Sequence, residues 1–293
     1  MPTISRYLQL DVFPATPGGG NPLGVVLDAD GWSDAQMQRF AAWTNLVETT
    51  FVLPPTQAGA SYRLRIFTPD KEIPFAGHPT VGSAHAVLES GIARATGGRL
   101  VQECGAGLLP IRVEDEDAGR RLLVRAPAAH VLRVGAEGEP LLRDVLGRVR
   151  LGALPPAFVE GGRRWWVAEF LDEDEVRAWR PDHAAIARLA RASDSLGLCV
   201  FARCNGDGHE LVVRAFPAGV GIVEDPASGA ANGLIAAWIA QREPAGPLAR
   251  GYRVSQGREI GRDASLRVRI EGADVWVGGA TTTVVRGEVD WPH

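Results

Sequence analysis

Two stretches of this chain follow one pattern. "EIPFAGHPTVGSA" begins at Glu72 and "IVEDPASGAANG" begins at Ile222. In each, a titratable residue precedes proline, and glycine, a small residue and alanine follow. His78-Pro79 is answered by Asp225-Pro226, and Gly82 by Gly229, both 147 positions later in a chain of 293. A sequence that repeats at half its own length is built to fold as two similar lobes, each with its own core. The period is far above the roughly 20 to 50 residues of a solenoid repeat.

The order of local signals repeats as well. The first half gives strand "YLQLDVF", glycine loop "PGGGNP" and strand "LGVVLDA". "SDAQMQRFAAWTN" follows with helical spacing, and Ser33 with Gln36 forms a capping-box pattern. Strands "ETTFVL" and "YRLRIF" come next, then a helix from Pro79 with Val81, Ala84, His85 and Leu88 on one face. Strands "LLPIRVE" and "RLLVRA" complete this half. The second half gives strand "RRWWVAEF", whose Trp165 and Trp166 either shape the pocket or alternate between core and surface. A helix over roughly Glu173 to Ala192, strands "LCVFAR" and "ELVVRAF", and a helix from Pro226 follow. That helix has Ala231, Leu234, Ile235 and Trp238 on one face, and strands "SLRVRI" and "DVWVGGA" end the half. "RIF" at Arg65–Phe67 corresponds to "RAF" at Arg214–Phe216. The expected domains are 1–128, with 280–293 returning to it, and 129–279; the joint lies in "APAAHVLRVGAEGEP".

Proline is favoured at the first position of a helix, where its missing N–H costs nothing. This predicts His78 and Asp225 as N-caps of two helices whose unpaired N–H groups carry the positive end of the helix dipole. Each motif is then a candidate anion site with a titratable group beside it. Packed face to face, the two helix starts would converge on one cleft able to hold a small carboxylate without metal or cofactor. An N-capping Asp also has a purely structural role, worth about 1 kcal/mol. Glu48, in "TNLVETTFV", has no acidic counterpart near Ser195-Leu196, which suggests a division of labour between the halves; the alternative is an ordinary surface glutamate at a strand edge. Burial against Val47 and Phe51 would raise its pKa toward the range useful for proton transfer.

Other chemistries fit less well. The net charge is −4 and no block of Lys or Arg occurs, which argues against nucleic acid or an anionic membrane as partner. Lys71 is the only lysine and sits between Asp70 and Glu72 in an expected exposed turn, a poor Schiff-base donor for pyridoxal phosphate. The N-terminus lacks a signal-like apolar segment, no apolar run reaches membrane-spanning length, and three scattered cysteines suit a reducing cytoplasm. His78 and His85 are seven residues apart, too far for an i, i+4 metal pair, and no metal site is expected. "PGGGNP" lacks the lysine of a phosphate-binding loop. "ECGAG" around Cys104 lies between strands with no partner cysteine at the repeat offset.

"GNPLGVV", "NLVETTFV", "RIFTPDKEIPFAGHPTVGSA", "VRAFPAGVGIVEDPASGAA" and "QGREIGR" resemble the phenazine biosynthesis PhzF-like family, in order from about Leu8 to Gly287. The resemblance implies the α+β diaminopimelate epimerase-like fold: two pseudo-symmetric domains, each a β-barrel-like sheet around a central helix. It implies a cofactor-independent isomerase in which Glu48 matches the acid/base and His78 and Asp225 match the motif residues around the substrate. Gly77, Gly229 and Ala230 would bind substrate. In epimerases of this fold two cysteines occupy the matching helix starts; here His and Asp fill them. The family's second motif more often has serine where this chain has Ala230, and its first has alanine where this chain has Pro79. The resemblance also implies a homodimer. The alternatives are a thiol-dependent amino-acid racemase and a non-catalytic small-molecule binding protein.

Overall fold

The computed structural model describes residues 3–117, 119–206 and 208–291, and they divide into two compact units. Unit 1 comprises residues 1–125 with 278–293, and unit 2 comprises 126–277.

Unit 1 begins with β1 (Thr3–Val12), β2 (Asn21–Val26), α1 (Asp34–Thr44), β3 (Thr49–Leu53), β4 (Tyr62–Phe67) and β5 (Glu72–Ile73). α2 (Gly77–Glu89), β6 (Arg99–Cys104), β7 (Gly107–Glu116) and β8 (Gly119–Arg125) follow. β1 and β2 pair antiparallel, β2 and β3 parallel, β3 and β4 antiparallel, β4 and β6 parallel, and β6 and β7 antiparallel. Both parallel steps need a crossover, and α1 and α2 supply them. α1 keeps the predicted capping box: Ser33 Oγ accepts from the Gln36 N–H, and the Ser33 N–H donates to Gln36 Oε1. Its apolar face packs Met37, Phe40 and Ala41 against Trp32, Phe51 and Phe67.

α2 is buried on nearly every side. Its residues 78–84, 86 and 87 are buried, and it touches β1, β2, β3, β4, β6 and β8. The sheet thus wraps a central helix, and the helix sequence is apolar or small all round, as such a position demands. Its few buried hydroxyls are paired. Tyr62 donates to Gln102, Gln102 Nε2 donates to Thr80 Oγ1 at 3.1 Å, and Thr50 and Ser83 hydroxyls lie 2.8 Å apart. These bonds lock the helix in azimuth as well as depth. Gly82 allows its closest approach: a Cβ there would stand 2.5 Å from Leu23 Cδ2 and 2.8 Å from Val12 Cγ2.

Unit 2 repeats the plan. β9 (His130–Val134), α3 (Pro140–Leu146), β10 (Ala157–Gly161), β11 (Arg163–Glu169), α4 (Glu173–Ala178) and α5 (His183–Ala192) come first. β12 (Gly197–Arg203), β13 (Leu211–Phe216), α6 (Gly229–Arg242), β14 (Gly251–Gln256), β15 (Ala264–Glu271) and β16 (Asp274–Gly279) follow. From β10 to β15 the pairings run antiparallel, parallel, antiparallel, parallel, antiparallel, the same series as from β1 to β7. α6 is the counterpart of α2 and packs on β10, β11 and β15. Ala231, Leu234, Ile235 and Trp238, the predicted face, are all buried. β17 (Thr281–Trp291) then pairs antiparallel with β1 along ten residues and belongs to unit 1.

Two local expectations need correction. The helix expected over Glu173–Ala192 is two helices, because Pro181 has no N–H to give and forces extended backbone before it. Asp172 caps the first at 2.8 Å and Asp182 the second at 3.0 Å. Trp165 and Trp166 do not alternate between core and surface; they are 2% and 0% exposed, since both faces of β11 are covered. Trp166 stacks against Phe158 in the core formed with α3 and α5.

Candidate active site

The first motif folds differently from its simplest reading. α2 starts at Gly77, so the N-cap is Ala76, and His78 is the second helical residue and Pro79 the third. Proline is tolerated anywhere in the first turn, because none of those N–H groups has an intrahelical acceptor. The N–H groups of Gly77 and His78 are therefore the unspent donors of a thirteen-residue helix, and Gly77 is half-exposed.

His78 itself points inward and is 6% exposed. Asn21, at the start of β2 and fully buried, places its Nδ2 3.4 Å from His78 Nδ1. Burial holds the imidazole pKa down at about 3, although the Pro22 carbonyl accepts a hydrogen bond from the ring and pulls the other way. His78 is thus a neutral imidazole at physiological pH. Its Nε2 faces Glu48 Oε2 at 3.5 Å, a separation at which it makes no full hydrogen bond. Because the ring is neutral, this contact is dipolar and not a salt bridge.

Glu48 stands just before β3 and is 9% exposed. β3 is held between β2 and β4, with Thr49 opposite Gly24 on one side and Phe67 on the other. The carboxyl group is thereby fixed by the central strands of the sheet, while its partner is fixed by the central helix. Unit 1 brings together three of the predicted residues, Gly77, His78 and Glu48. It adds Asn21, whose only sequence signal is its place in "GNP".

In unit 2 the second motif is also shifted. α6 starts at Gly229 with Ser228 as N-cap, its Oγ accepting from the Ala231 N–H at 3.3 Å. Asp225 is therefore not the cap. It lies three residues earlier, its N–H donating to the Ala215 carbonyl at 2.9 Å and its Oδ1 accepting from the Ala227 N–H at 3.1 Å. That second bond is an Asx-type turn, the local alternative that Asp offers a backbone before proline. Gly229 and Ala230 are the first two helical residues, so both carry unspent N–H groups. Gln256, 0% exposed, ties the segment down: Nε2 donates to the Asp225 carbonyl at 2.8 Å, and Oε1 accepts from the Ser228 N–H and Asn232 Nδ2. Gln256 lies in "QGREIGR" and nothing in its local pattern shows that it reaches the motif.

One device is repeated in both units. Arg65 grips Glu72 with Nε and Nη2 at 2.8 and 2.7 Å, and Arg214 grips Glu224 with the same two nitrogens at 2.9 Å each. Each guanidinium also covers the phenylalanine two residues on, at 5.1 Å from Phe67 and 5.2 Å from Phe216. Both glutamates lie just upstream of the titratable motif residue, so each clamp anchors the segment that leads into it. Bidentate arginine–carboxylate pairs impose orientation as well as attraction.

The profile of the PhzC-PhzF family, phenazine biosynthesis-like proteins, matches residues 10–287. The chain belongs to the PhzC-PhzF family. It is 34% identical over 274 residues to the trans-2,3-dihydro-3-hydroxyanthranilate isomerase of Pseudomonas aeruginosa, covering 92% of each chain. It is 33% identical over 295 residues to Antisense-enhancing sequence 1 of Schizosaccharomyces pombe, covering 98% of this chain and 99% of that protein. The crystal structure of a Bacillus anthracis phenazine biosynthesis protein of the PhzF family matches with a TM-score of 0.81 and 25% identity, covering 98% and 99%. The fold is the expected α+β, diaminopimelate epimerase-like one, and the protein is an isomerase of the PhzF family. Among the described residues no helix is long and apolar enough to cross a membrane.

Proposed function

We propose that this PhzF-family protein moves a proton within a small cyclic or carboxylate substrate without a cofactor, and that Glu48 is its acid/base. The observation that carries this reading is the buried Glu48 carboxyl group 3.5 Å from a neutral His78 whose Nε2 lacks a full hydrogen bond. An incompletely bonded polar atom in so buried a place is an invitation to a ligand group. The unspent N–H groups of Gly77 and His78 offer the matching donors for a carboxylate or a developing enolate oxygen.

The reaction is a balanced shift. Glu48 takes a proton from a substrate carbon, the C–H electron pair moves into the adjacent π system, and Glu48 returns the proton at another carbon. His78 stays neutral and orients the carboxyl group. In unit 2 Asp225 serves as a second titratable group, and the first-turn N–H groups of Gly229 and Ala230 serve as anion donors. The relative from Pseudomonas aeruginosa, named for isomerising trans-2,3-dihydro-3-hydroxyanthranilate, supports a substrate of that class. Three free cysteines suit a cytoplasmic setting.

The test is turnover of cyclic dihydro-hydroxy acids in deuterated water by the wild type and by Glu48→Gln. Deuterium entering the product, or an intramolecular transfer, should accompany wild-type turnover. The variant should lose on the order of 10²- to 10⁴-fold in rate with its fold intact. Undiminished turnover in Glu48→Gln would remove Glu48 from the mechanism. A ligand that binds and is never converted across such a panel would favour a binding protein.

A further inference from the structure

Away from both motifs, unit 2 gathers three side chains of metal-ligand type. Glu173 is the first residue of α4, Cys204 follows β12, and His209 precedes β13. One carboxylate oxygen, the thiol sulfur and one imidazole nitrogen all lie within 4.8 Å of one another, and all three residues are half-buried. Cys204 and His209 come together because β12 and β13 pair antiparallel, and the Cys204 N–H donates to the Glu210 carbonyl at 2.9 Å. α4 packs on both of these strands and brings Glu173 beside Cys204 and His209.

From this geometry we propose that Glu173, Cys204 and His209 bind a zinc-type divalent cation, with water in the fourth position. Thiolate, imidazole and carboxylate are each ligands that zinc accepts. Bonds of about 2.0 to 2.3 Å in a tetrahedron place donors roughly 3.3 to 3.8 Å apart, so shifts of about 1 Å in three side chains close the site. His209 Nε2 now lies 3.2 Å from Glu173 Oε1, the same oxygen that accepts from Arg177 Nε at 2.6 Å. Cys204 Sγ is 3.7 Å from the Ala202 carbonyl. Arg177 would remain as the outer partner that orients the carboxylate, itself held by Glu259 and Ser255 at 2.8 and 3.0 Å. Binding releases the Cys204 thiol proton to solvent, and nothing is oxidised or reduced.

The position keeps the cation apart from the isomerase residues. Asp225 is bridged to Ala215 near the end of β13, whereas His209 leads into its start. Six residue steps along the chain, from 209 to 215, at about 3.3 Å each separate the two. The cation would clip the end of β12 and the start of β13 to α4 and stabilise unit 2 without touching the isomerase chemistry.

The test is titration of the full chain carrying Cys104→Ala with Co²⁺, read by thiolate-to-cobalt charge-transfer absorption, with Zn²⁺ as displacing ion. One equivalent should give the band, Zn²⁺ should abolish it, and Cys204→Ser should lack it. His209→Gln should bind at least about tenfold more weakly. Zn²⁺ should raise the Tm of the parent and leave that of Cys204→Ser unchanged. Isomerase turnover should survive both substitutions. Absence of the band in the parent, or a band that persists in Cys204→Ser, would overturn the site. Should Cys204→Ser fail to fold, an unchanged Co²⁺ affinity in both His209→Gln and Glu173→Gln would do the same.

Discussion

His78 Nε2 faces Glu48 Oε2 at 3.5 Å, one group carried by the central helix of unit 1 and the other by the residue that leads into β3. Thirty residues separate them in sequence, and only the parallel β2–β3 crossover and the burial of α2 bring them together. The contact follows from the fold of a single unit, so variants that disturb α2 should disturb the pair.

Stability should depend on pH through His78. Its folded pKa is about 3 and its unfolded value about 6.5, so between those values the unfolded chain binds a proton that the native chain does not. Stability is therefore full above pH 7 and falls as pH falls toward 3. Between pH 7 and 5 the loss from this group is about 2 kcal/mol. His85, also pushed down by burial, adds in the same direction. Urea unfolding at several pH values should show the loss, and His78→Gln should remove most of it; identical pH profiles for the two proteins would refute a buried neutral imidazole.

The two arginine clamps should differ in weight. The Arg214 and Glu224 side chains are each 4% exposed, whereas Arg65 and Glu72 are 15% and 43% exposed. Arg214→Ala leaves an uncompensated buried carboxylate and should cost about 3 to 5 kcal/mol. Arg65→Ala breaks a solvent-screened pair and should cost about 1 kcal/mol or less. Denaturation midpoints of the two variants decide this, and equal losses would contradict the burial difference.

Gly82 should not tolerate even one methyl group. Leu23 is fully buried, so its Cδ2, 2.5 Å from the new Cβ, has little room to retreat. Gly82→Ala should cost about 1 to 3 kcal/mol and slow turnover, because β2 carries both Leu23 and Asn21. A variant with wild-type Tm would show that α2 can back away from β1 and β2.

Thiol chemistry should be dispensable. Cys104 is free at the end of β6, and Cys199 is fully buried with its thiol pushed well up by burial. Cys104→Ala and alkylation of the native protein should both leave turnover unchanged. Loss of activity on alkylation, absent in Cys104→Ala, would restore the thiol-dependent racemase.

Much of this architecture was legible in residue patterns. The repeat of His78-Pro79 in Asp225-Pro226 announced two lobes, and the strands "YRLRIF" and "LCVFAR" and the Ser33–Gln36 cap stand where alternation and capping put them. The helix starts were less legible, because proline in a first turn is equally compatible with several positions. α2 begins two residues before Pro79, and α6 begins three residues after Pro226. Asn21 and Gln256 were invisible as positioning groups. Their contacts with His78 and with Asp225 span 57 and 31 residues, and no local periodicity encodes such a reach.

β17 is translated after the whole of unit 2, yet it forms the strand that covers β1. During synthesis the first lobe must therefore wait, its β1 edge open, while roughly 150 residues of the second emerge from the ribosome and can fold as a contiguous piece. The later-made lobe is the first that can be finished, and the exposed β1 edge is where a nascent or truncated chain would pair with the wrong neighbour.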